Sequence, residues 1–439
     1  MIEKSLERVI DLTDPAANRI PGMTLEAARE RVASGAPEAV REIDGSFALV
    51  ARIGQTVRMA RSLDRPLRYF LAKQIDGPAL VVADRIDSIR AFLKSDGLDA
   101  QFHPTYTRMV PAHHVVEIRL VGCPDPAATY TRFLQPARGC PRDPEEIGRR
   151  YVGALADEIA RWLETLPAGA PVGVCFSGGI DSGAVFLTTY HVMRRLGMHP
   201  ARLKAFTLSV DGGQDLAQAR RFLAGLSLEL FLEPIETTPD RIDPFEAVAV
   251  VEDYKPLDVE SAAMAVALCR GIRERYPEWR YLLDGDGGDE NLKDYPIEEN
   301  SELTIRSVVH NPLLYQEGWG VGKLKHSLTY SGGQSRSYTR TYAPLRRYGF
   351  EGLSPFMRPA LVEMAAAIPF TDLTEYDLDR LYALKGEIVA RGVRAITGLE
   401  MPVFPKRRFQ QGALPAGQSL PSSPRGEAAY RAHFLSLYA

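Results

Sequence analysis

A glycine-containing segment at residues 176–182, Phe-Ser-Gly-Gly-Ile-Asp-Ser, constrains the fold more than any other part of the chain. It separates an apolar run typical of a buried strand, Val172–Phe176, from a helix-like pattern that begins at Ala184. A strand, a tight glycine turn and a helix start bring backbone N–H groups and the positive end of a helix to one point. This order predicts a phosphate site, with Asp181 placed to hold a magnesium ion against the phosphate. An ordinary strand-to-helix turn is the alternative interpretation.

Strands and helices alternate from about residue 141 onwards, after a joint rich in proline and glycine at residues 136–141. Asp143 and Pro144 open an amphipathic helix with an N-cap and a first-turn proline. Alternation of this kind predicts a doubly wound parallel sheet, in which ligands bind at the carboxyl ends of strands. The predicted strands are Val172–Phe176, Leu203–Val210, Leu228–Glu233 and Tyr281–Asp284, and the predicted helices run to Leu196, from Gln214, and over Ser261–Tyr276.

A second glycine-rich loop, Asp284–Glu290, follows one of these predicted strands and carries four acidic residues. Carboxylates so close together cannot all stay charged without a cation or a proton. The loop lacks the ligand spacing of an EF-hand, so a polar turn or a magnesium site are the alternatives. A phosphate site at the same sheet edge favours magnesium.

Both loops resemble known nucleotide-binding motifs. Ser-Gly-Gly-Ile-Asp-Ser at residues 177–182 is similar to the pyrophosphate loop of ATP pyrophosphatases, which split ATP into AMP and pyrophosphate. Within that group the chain most resembles the asparagine synthetase and β-lactam synthetase family, whose second motif, Gly-x-Gly-x-Asp-Glu, is matched by the acidic loop. The resemblance extends over about residues 40–412 and is weak over 297–345.

The resemblance implies roles for individual residues. It places Asp181 and Asp289 as the two magnesium ligands, and Asp286 where the family prepares the attacking nitrogen. A carboxylate at that position would serve as a general base. The positions that match pyrophosphate contacts are Ser177, Gly178, Gly179 and Ser182, and those that match adenosine contacts, mostly through the backbone, are Phe176, Leu208, Asp284 and Gly285.

Two later segments extend the match. Residues 402–412 resemble the family's mobile catalytic loop, which implies that Lys406 neutralises charge on the departing pyrophosphate and on the tetrahedral intermediate. Lys385 matches a second family lysine more weakly and is expected at the ATP or pyrophosphate site. Residues 349–358 match an acceptor-pocket segment, but Leu353 and Arg358 replace its arginine and aspartate, so we expect a pocket unlike that of asparagine synthetase.

The first 140 residues are rich in short strand-like runs, at Phe47–Arg52, Thr56–Ala60, Leu80–Ala83 and Val115–Leu120, after a helical stretch at Met23–Glu42. They resemble the sheet of the family's glutaminase domain. That domain needs an N-terminal cysteine as nucleophile, whereas position 2 is Ile2 and no cysteine occurs before Cys123. The expected architecture is therefore α/β: a degenerate glutaminase-like β-sandwich domain at 1–140 and a doubly wound parallel-sheet ATP pyrophosphatase domain with added helices at 141–439.

The net charge and the cysteines of the chain limit the partners and the compartment that we expect for it. The net charge of −3 gives no electrostatic reason to expect nucleic acid or a membrane surface. Four widely spread cysteines fit reduced thiols, and the N-terminus lacks an apolar signal segment, so we expect a cytoplasmic protein. A homodimer stays open.

These features predict an ATP- and Mg²⁺-dependent ligase that adenylates a small-molecule or peptide carboxylate. The acyl group then passes to ammonia or an amine, in a second molecule or in the same one, without glutamine hydrolysis. One alternative is a pyrophosphate-loop enzyme that adenylates a tRNA base, which would need a catalytic cysteine or a basic RNA-binding face. The other is a nucleotide-binding scaffold without catalysis, against which the retention of Asp181, Asp289 and Lys406 argues.

Overall fold

A computed structural model describes most of the chain, namely residues 8–73, 79–119, 128–299, 301, 303–311, 314–317, 338–405, 412–415 and 426–439. The chain divides into two compact units. The first comprises residues 1–135, 316–338 and 431–439, and the second comprises residues 136–315 and 339–430. Among the described residues, no helix combines the length and the apolar character that crossing a membrane requires.

The first unit contains two four-stranded sheets. Its strands are β1 Arg8–Asp11, β2 Ala48–Ile53, β3 Thr56–Arg61, β4 Arg68–Ala72, β5 Ala79–Ala83, β6 Arg108–Met109, β7 His114–Arg119 and β8 Thr129–Arg132. One sheet has the order β1-β5-β4-β6 and the other has the antiparallel order β2-β3-β7-β8. The strand-like runs predicted from the sequence match β2, β3, β5 and β7 to within one or two residues.

The two sheets share a hydrophobic core, because residues from both, such as Met59 and Val82, belong to one buried cluster. Helix α3 (Ile86–Ser95) covers the other face of the β1-β5-β4-β6 sheet. The helical stretch predicted at Met23–Glu42 is two helices, α1 Leu25–Ser34, which packs on β2 and β3, and α2 Pro37–Arg41. Gly35 ends the first in a left-handed conformation, with φ of 71°. Whether this layered unit is glutaminase-like stays a prediction.

The segment after β3 is organised around the buried side chain of Arg61. Its guanidinium donates to the backbone carbonyls of Val110, Leu63 and Arg65. Burial, followed by the nearby charge of Arg68, lowers the pKa of Arg61 to about 9. Arg61 therefore satisfies loop carbonyls that would otherwise be buried without partners.

The second unit is built on a five-stranded parallel sheet. Its strands are β9 Val172–Cys175, β10 Leu203–Val210, β11 Leu232–Thr237, β12 Tyr281–Leu283 and β13 Glu351–Leu353. Their order is β11-β10-β9-β12-β13. The chain thus proceeds outward from β9 in one direction and then crosses to β12 on the other side, so the strand order reverses between β9 and β12. Such a reversal opens a crevice at the carboxyl ends of the two strands.

The remaining described helices follow in chain order. They are α4 Pro144–Thr165, α5 Ile180–Arg195, α6 Gln214–Ala224, α7 Pro244–Val251, α8 Pro256–Arg275, α9 Gly288–Leu292, α10 Ile305–His310, α11 Leu314–Glu317, α12 Ala343–Arg347, α13 Pro359–Ala366, α14 Phe370–Thr374, α15 Leu378–Thr397 and α16 Gly426–Ser436. A π-helical turn at Tyr338–Tyr342 precedes α12. Short 3-10 helices lie at Pro15–Ala17, Asp99–Gln101, Pro104–Tyr106, Pro200–Arg202, Glu229–Phe231, Pro239–Arg241, Ile297–Glu299 and Pro355–Met357.

One predicted strand is displaced. The apolar run expected as a strand at Leu228–Glu233 is mainly a 3-10 turn, and β11 begins only at Leu232. The turn packs Phe231 against the rings of Phe186 and Tyr190. Pro234 lies inside β11, which is tolerated because β11 is an edge strand.

Helices α4 and α15 approach each other closely at a pair of glycines. A Cβ added to Gly148 would lie 2.3 Å from the carbonyl oxygen of Ile388, and one added to Gly392 would lie 2.2 Å from the carbonyl oxygen of Gly148. Only hydrogen at these positions lets the two backbones touch. Lys385 lies seven residues before Gly392, two turns away on the same face of α15. The glycine contact therefore fixes the position of Lys385.

We expect Gly148→Ala to lower the free energy of unfolding by about 1–3 kcal/mol, because the added methyl group overlaps the backbone of α15. Gly153 on the same helix is the matched control, since its added Cβ would meet only Ile396 Cδ1 at 3.7 Å. Gly153→Ala should stabilise by up to about 1 kcal/mol through helix propensity. Thermal unfolding followed by circular dichroism measures both. Equal changes in the free energy of unfolding of the two variants would contradict the close contact between α4 and α15.

Candidate active site

The two loops singled out in the sequence lie on either side of the strand-order reversal. Ser177 follows β9, and Asp284 follows β12, its neighbour in the sheet. Both loops leave the carboxyl ends of parallel strands, so they border the same crevice. The predicted strand, glycine turn and helix start are all present at Val172–Arg195.

The first loop is held in shape by glycine and by two hydroxyl groups. Gly178 has a φ of 71°, and an added Cβ would lie 2.9 Å from the backbone of Ala219 on α6. The backbone N–H of Ser177 donates to Ser182 Oγ over 3.2 Å, and the N–H of Gly179 donates to Ser177 Oγ over 3.3 Å. The loop is thereby folded back onto the first turn of α5.

Helix α5 begins without a side-chain cap. Its N-cap residue, Gly179, makes no side-chain hydrogen bond, and Asp181 lies in the first turn. An uncapped helix start directs backbone N–H groups and a positive partial charge to whatever lies in front of it. The start of α5 is therefore suited to an anionic ligand such as a phosphate group.

The second loop rests directly on Asp181. A Cβ added to Gly288 would lie 2.1 Å from Asp181 Oδ1, and one added to Gly285 would lie 2.7 Å from the backbone nitrogen of Ser182. Gly287 allows the turn between them, with a φ of 97°. These glycines bring the acidic loop against residues 177–182, which we call the phosphate loop. This close contact explains why the acidic loop combines glycine with acidic residues.

Lys385 joins the two loops. Its ammonium nitrogen lies 2.6 Å from Asp181 Oδ2 and 3.2 Å from Asp294 Oδ2, and it also contacts Asp289 Oδ1. The lysine is only 2% exposed. Burial alone would lower its pKa, but Asp181, Asp289 and Asp294 outweigh that effect and raise the pKa well above the ordinary value for lysine. The lysine is charged at neutral pH.

The predicted magnesium ligands are compatible with that metal. Oxygen atoms of Asp181 and Asp289 approach one buried ammonium nitrogen, so they face a common point. Mg²⁺ is usually bound by one or two carboxylates together with substrate phosphates and water, which is the donor set these residues offer. Within the described residues, no group of three or more His, Cys, Asp or Glu side chains is arranged to hold a metal without such a ligand.

Asp284 is buried where β12 meets β13. Its Oδ2 accepts from Ser354 Oγ over 2.8 Å, and its Oδ1 accepts from the backbone N–H of Asp286 over 2.9 Å. Burial, followed by the charge of Asp286, raises the pKa of Asp284 to about 8. Asp284 is therefore protonated over most of the range in which an isolated aspartate is charged.

A second, partly buried cation, Arg340, lies beside the acidic loop. Arg340 Nη2 lies 2.8 Å from Glu290 Oε1, which also accepts from the hydroxyl of Tyr295 over 2.6 Å. Burial would lower the pKa of Arg340, but Asp286 and Glu290 outweigh it and raise that pKa well above the ordinary value. Thr341 Oγ1 donates to Asp286 Oδ2 over 3.3 Å. Thr341 thus positions the predicted general base, and Arg340 lies within its electrostatic influence.

Two of the predicted adenosine contacts are core residues. Phe176 is 3% exposed and packs against the rings of Phe186 and Phe222. Its N–H donates to the carbonyl of Phe206, and its carbonyl accepts from Thr207 Oγ1. Leu208 is buried inside β10. Any contact of these residues with a nucleotide stays a prediction.

Lys406, the predicted catalytic lysine, lies outside the described residues. The chain on either side of residues 406–411 is described, and it lies beside α6 and the end of β10. Before this segment, the Arg221 guanidinium on α6 lies 5.2 Å from the centre of the Phe404 ring. After it, the carbonyl of Ala413 accepts from the N–H of Val210 at the end of β10, and a Cβ on Gly412 would lie 2.0 Å from Asp215 Oδ1.

Arg358, which replaces the aspartate of the related segment, forms an ion pair within the protein. Arg358 Nε lies 3.2 Å from Glu158 Oε2 on α4, and the carboxylate side is nearly buried. The reversed charge is therefore used to attach this segment to α4. Ser354, from the same segment, reaches the acidic loop through Asp284.

Part of the chain is similar in sequence to a known protein family. Residues 164–347 match the asparagine synthase family. This span is similar to that family and covers less than half of the chain. The matched span includes the phosphate loop, the acidic loop and Arg340, and it supports an ATP-dependent ligase or adenylating enzyme. No match was found among curated proteins.

One solved structure that matches is the NMN synthetase from Francisella tularensis, at 18% identity and a TM-score of 0.23. The match covers 35% of this chain and 60% of that one. A likeness this low carries no argument about the fold or the activity of this chain.

Sequence reasoning missed two residues of the site, Asp294 and Arg340. Asp294 lies four residues beyond the acidic loop and has no motif of its own, although its N–H donates to the carbonyl of Asp289 over 3.1 Å. Arg340 lies in the region of weak resemblance, and no local pattern relates it to Glu290, which is fifty residues away in sequence. Both are brought to the site only by tertiary packing.

We expect Gly288→Ala to displace Asp181 and to weaken binding of a non-hydrolysable ATP analogue in the presence of Mg²⁺ by roughly tenfold or more, because carboxylate misplacement costs metal–phosphate contacts. Isothermal titration calorimetry measures the affinity. Gly225→Ala is the control, since the nearest atom to its added Cβ lies 3.5 Å away. Unchanged affinity in Gly288→Ala would show that the two loops do not need to touch.

The raised pKa of Asp284 predicts a pH-dependent stability. The folded protein retains the proton up to about pH 8, whereas an aspartate in the unfolded chain loses it near pH 3.8. The contribution of this group to stability therefore falls as the pH rises between those values. Asp284→Asn removes the titration. Its midpoint of thermal unfolding should rise relative to the unaltered protein as the pH increases from 4.5 to 8. A constant difference over that range would refute the assignment.

Proposed function

We propose that the protein is an ATP- and Mg²⁺-dependent, AMP-forming carbon–nitrogen ligase. The observation that carries the proposal is the juxtaposition of the phosphate loop and the acidic loop at the strand-order reversal, with Asp181 and Asp289 facing one point. It is supported by the match of this region to the asparagine synthase family.

In this proposal the pyrophosphate of ATP lies at the start of α5. The backbone N–H groups of Gly178 and Gly179 and the hydroxyls of Ser177 and Ser182 bind its oxygens. The uncapped helix end favours the charge of the phosphates. The base and ribose lie nearer the ends of β10 and β12, in the region of Leu208, Asp284 and Gly285.

Magnesium would be held by Asp181 and Asp289, and when bound it supplies charge neutralisation for the phosphates. The first reaction step is attack of a substrate carboxylate oxygen on the α-phosphorus. The bond from that phosphorus to the oxygen it shares with the β-phosphorus breaks, and pyrophosphate leaves. Lys385, and Lys406 from outside the described residues, are the cations that stabilise the leaving group.

The second step joins nitrogen to the acyl group. An amine or ammonia attacks the acyl carbon, the bond from that carbon to the AMP oxygen breaks, and the nitrogen loses a proton. Asp286 is the base in this proposal. Its Oδ2 accepts a hydrogen bond from Thr341 Oγ1, which orients the carboxylate.

The nitrogen source in this proposal is free ammonia or a substrate amine, since no cysteine precedes Cys123 in the first unit. The amine and the carboxylate belong either to two molecules or to one. The proposal also includes a cytoplasmic location and no nucleic-acid or membrane partner. Leu353, in place of the arginine of the related segment, supports an acceptor substrate other than that of asparagine synthetase.

The test is release of pyrophosphate and AMP from ATP across a panel of amino acids, β-amino acids and short peptides, with and without ammonium or glutamine. We expect equal amounts of AMP and pyrophosphate with a carboxylate substrate, and no stimulation by glutamine. Asp181→Asn should lower kcat/KM by roughly 10²-fold or more.

Asp157→Asn, an exposed carboxylate on α4, is the matched control and should leave the rate unchanged. Formation of ADP and phosphate instead of AMP and pyrophosphate would refute the proposed chemistry. No turnover with any substrate, combined with tight ATP binding, would favour the scaffold alternative.

A further inference from the structure

Three carboxylates converge on the ammonium group of Lys385. Asp181 and Asp294 lie 2.6 and 3.2 Å from it, and Asp289 is also in contact. Asp294 is a partner that no motif predicts, and its side chain is only 13% exposed. Nearly buried ion pairs of this kind are costly to desolvate and are kept only where several partners compensate the charge.

Lys385 uses the same atoms that the proposed metal would use. Asp181 and Asp289 are the carboxylates assigned to magnesium, and in this structure each directs an oxygen to the lysine nitrogen. A divalent cation and an ammonium group repel each other strongly at a separation of a few ångströms. Either Lys385 must therefore shift when the metal binds, or the repulsion from its ammonium group must weaken metal binding.

Asp294 provides an acceptor for the shifted lysine. The three carboxylates carry a charge of −3 and the lysine +1, which leaves −2. One divalent cation balances that charge only if Lys385 stays. Lys293 has a φ of 57° at the end of α9, and this left-handed residue turns the chain so that the N–H of Asp294 meets the carbonyl of Asp289. Asp294 is thereby held beside the metal ligands without being one of the two assigned to it.

We propose that Lys385 occupies the metal position in the nucleotide-free protein, and that Asp294 is the positioning residue that retains Lys385 beside the site when the metal takes Asp181 and Asp289. This inference rests on the proposed function, because it needs a divalent cation at those two aspartates. It adds two roles to that function: Lys385 competes with the metal for the two aspartates, and Asp294 determines how strongly Lys385 opposes metal binding.

The test is the affinity of the full-length protein for Mn²⁺, measured by electron paramagnetic resonance in the presence of α,β-methylene ATP. Lys385→Met should bind Mn²⁺ about tenfold more tightly, because the competing charge is gone. Asp294→Asn should bind it about tenfold more weakly, because the displaced lysine has lost its acceptor. In the Lys385→Met background, the effect of Asp294→Asn should shrink to about threefold or less.

Opposite shifts in the two variants distinguish this role from a structural one, since general destabilisation would weaken binding in both. Asp294→Asn leaves Lys385 two carboxylates, so the test does not depend on the folding of Lys385→Met. Lys204→Met is the matched control: it removes an ammonium group paired with Glu233 at 2.9 Å near the opposite ends of the strands, and Mn²⁺ affinity should not change.

Asp181→Asn separates the two proposals. If Mn²⁺ affinity depends on Asp181 but Lys385→Met does not tighten it, or Asp294→Asn does not weaken it, the role of Asp294 is refuted and the ligase proposal stands. If Asp181→Asn has no effect on Mn²⁺ affinity, the metal assignment fails and both proposals are overturned.

Discussion

The site depends on one buried charge, the ammonium group of Lys385. It links three parts of the chain that are far apart in sequence: the first turn of α5 through Asp181, the acidic loop through Asp289, and the residue after α9 through Asp294. Without a cation at this point the three carboxylates would repel one another at low dielectric. The two loops at the strand-order reversal therefore share a counter-ion before any nucleotide is bound.

That charge can act only because glycine permits the backbones to touch. Gly288 and Gly285 let the acidic loop lie on Asp181 and Ser182. The contact between Gly148 and Gly392 fixes the position of α15 against α4, and with it the position from which Lys385 reaches the two loops. Electrostatic attraction alone would not select this geometry, since it is long-ranged and weakly directional. Close packing fixes the distances, and the charges then determine which ion can occupy the space between them.

Much of this arrangement follows from sequence because it is local. The run from β9 through the glycine turn to α5 is encoded within about twenty residues, and each of its signals, apolar run, glycine and helix pattern, agrees with the others. Placement of Lys385, Asp294 and Arg340 is not local, since each pairs with residues brought near by helix packing. The displaced start of β11 has a different cause: its apolar run satisfies a 3-10 turn as well as a strand, and packing of Phe231 selects the turn.

The carboxylates of the acidic loop are associated with two different cations, the buried Lys385 and the partly buried Arg340. This explains how four acidic residues among seven can have different roles. Asp289 belongs with Lys385, whereas Glu290, the next residue, pairs with Arg340, and the charge of Asp286 also acts on Arg340. Successive residues at the start of α9 point about 100° apart, so adjacent carboxylates reach opposite sides of the short helix. Asp284, at the head of the loop, is held by Ser354 and keeps a raised pKa. Carboxylates of one short loop are therefore associated with different cations, so we expect a substitution at Asp289 and one at Asp286 to disturb different halves of the site.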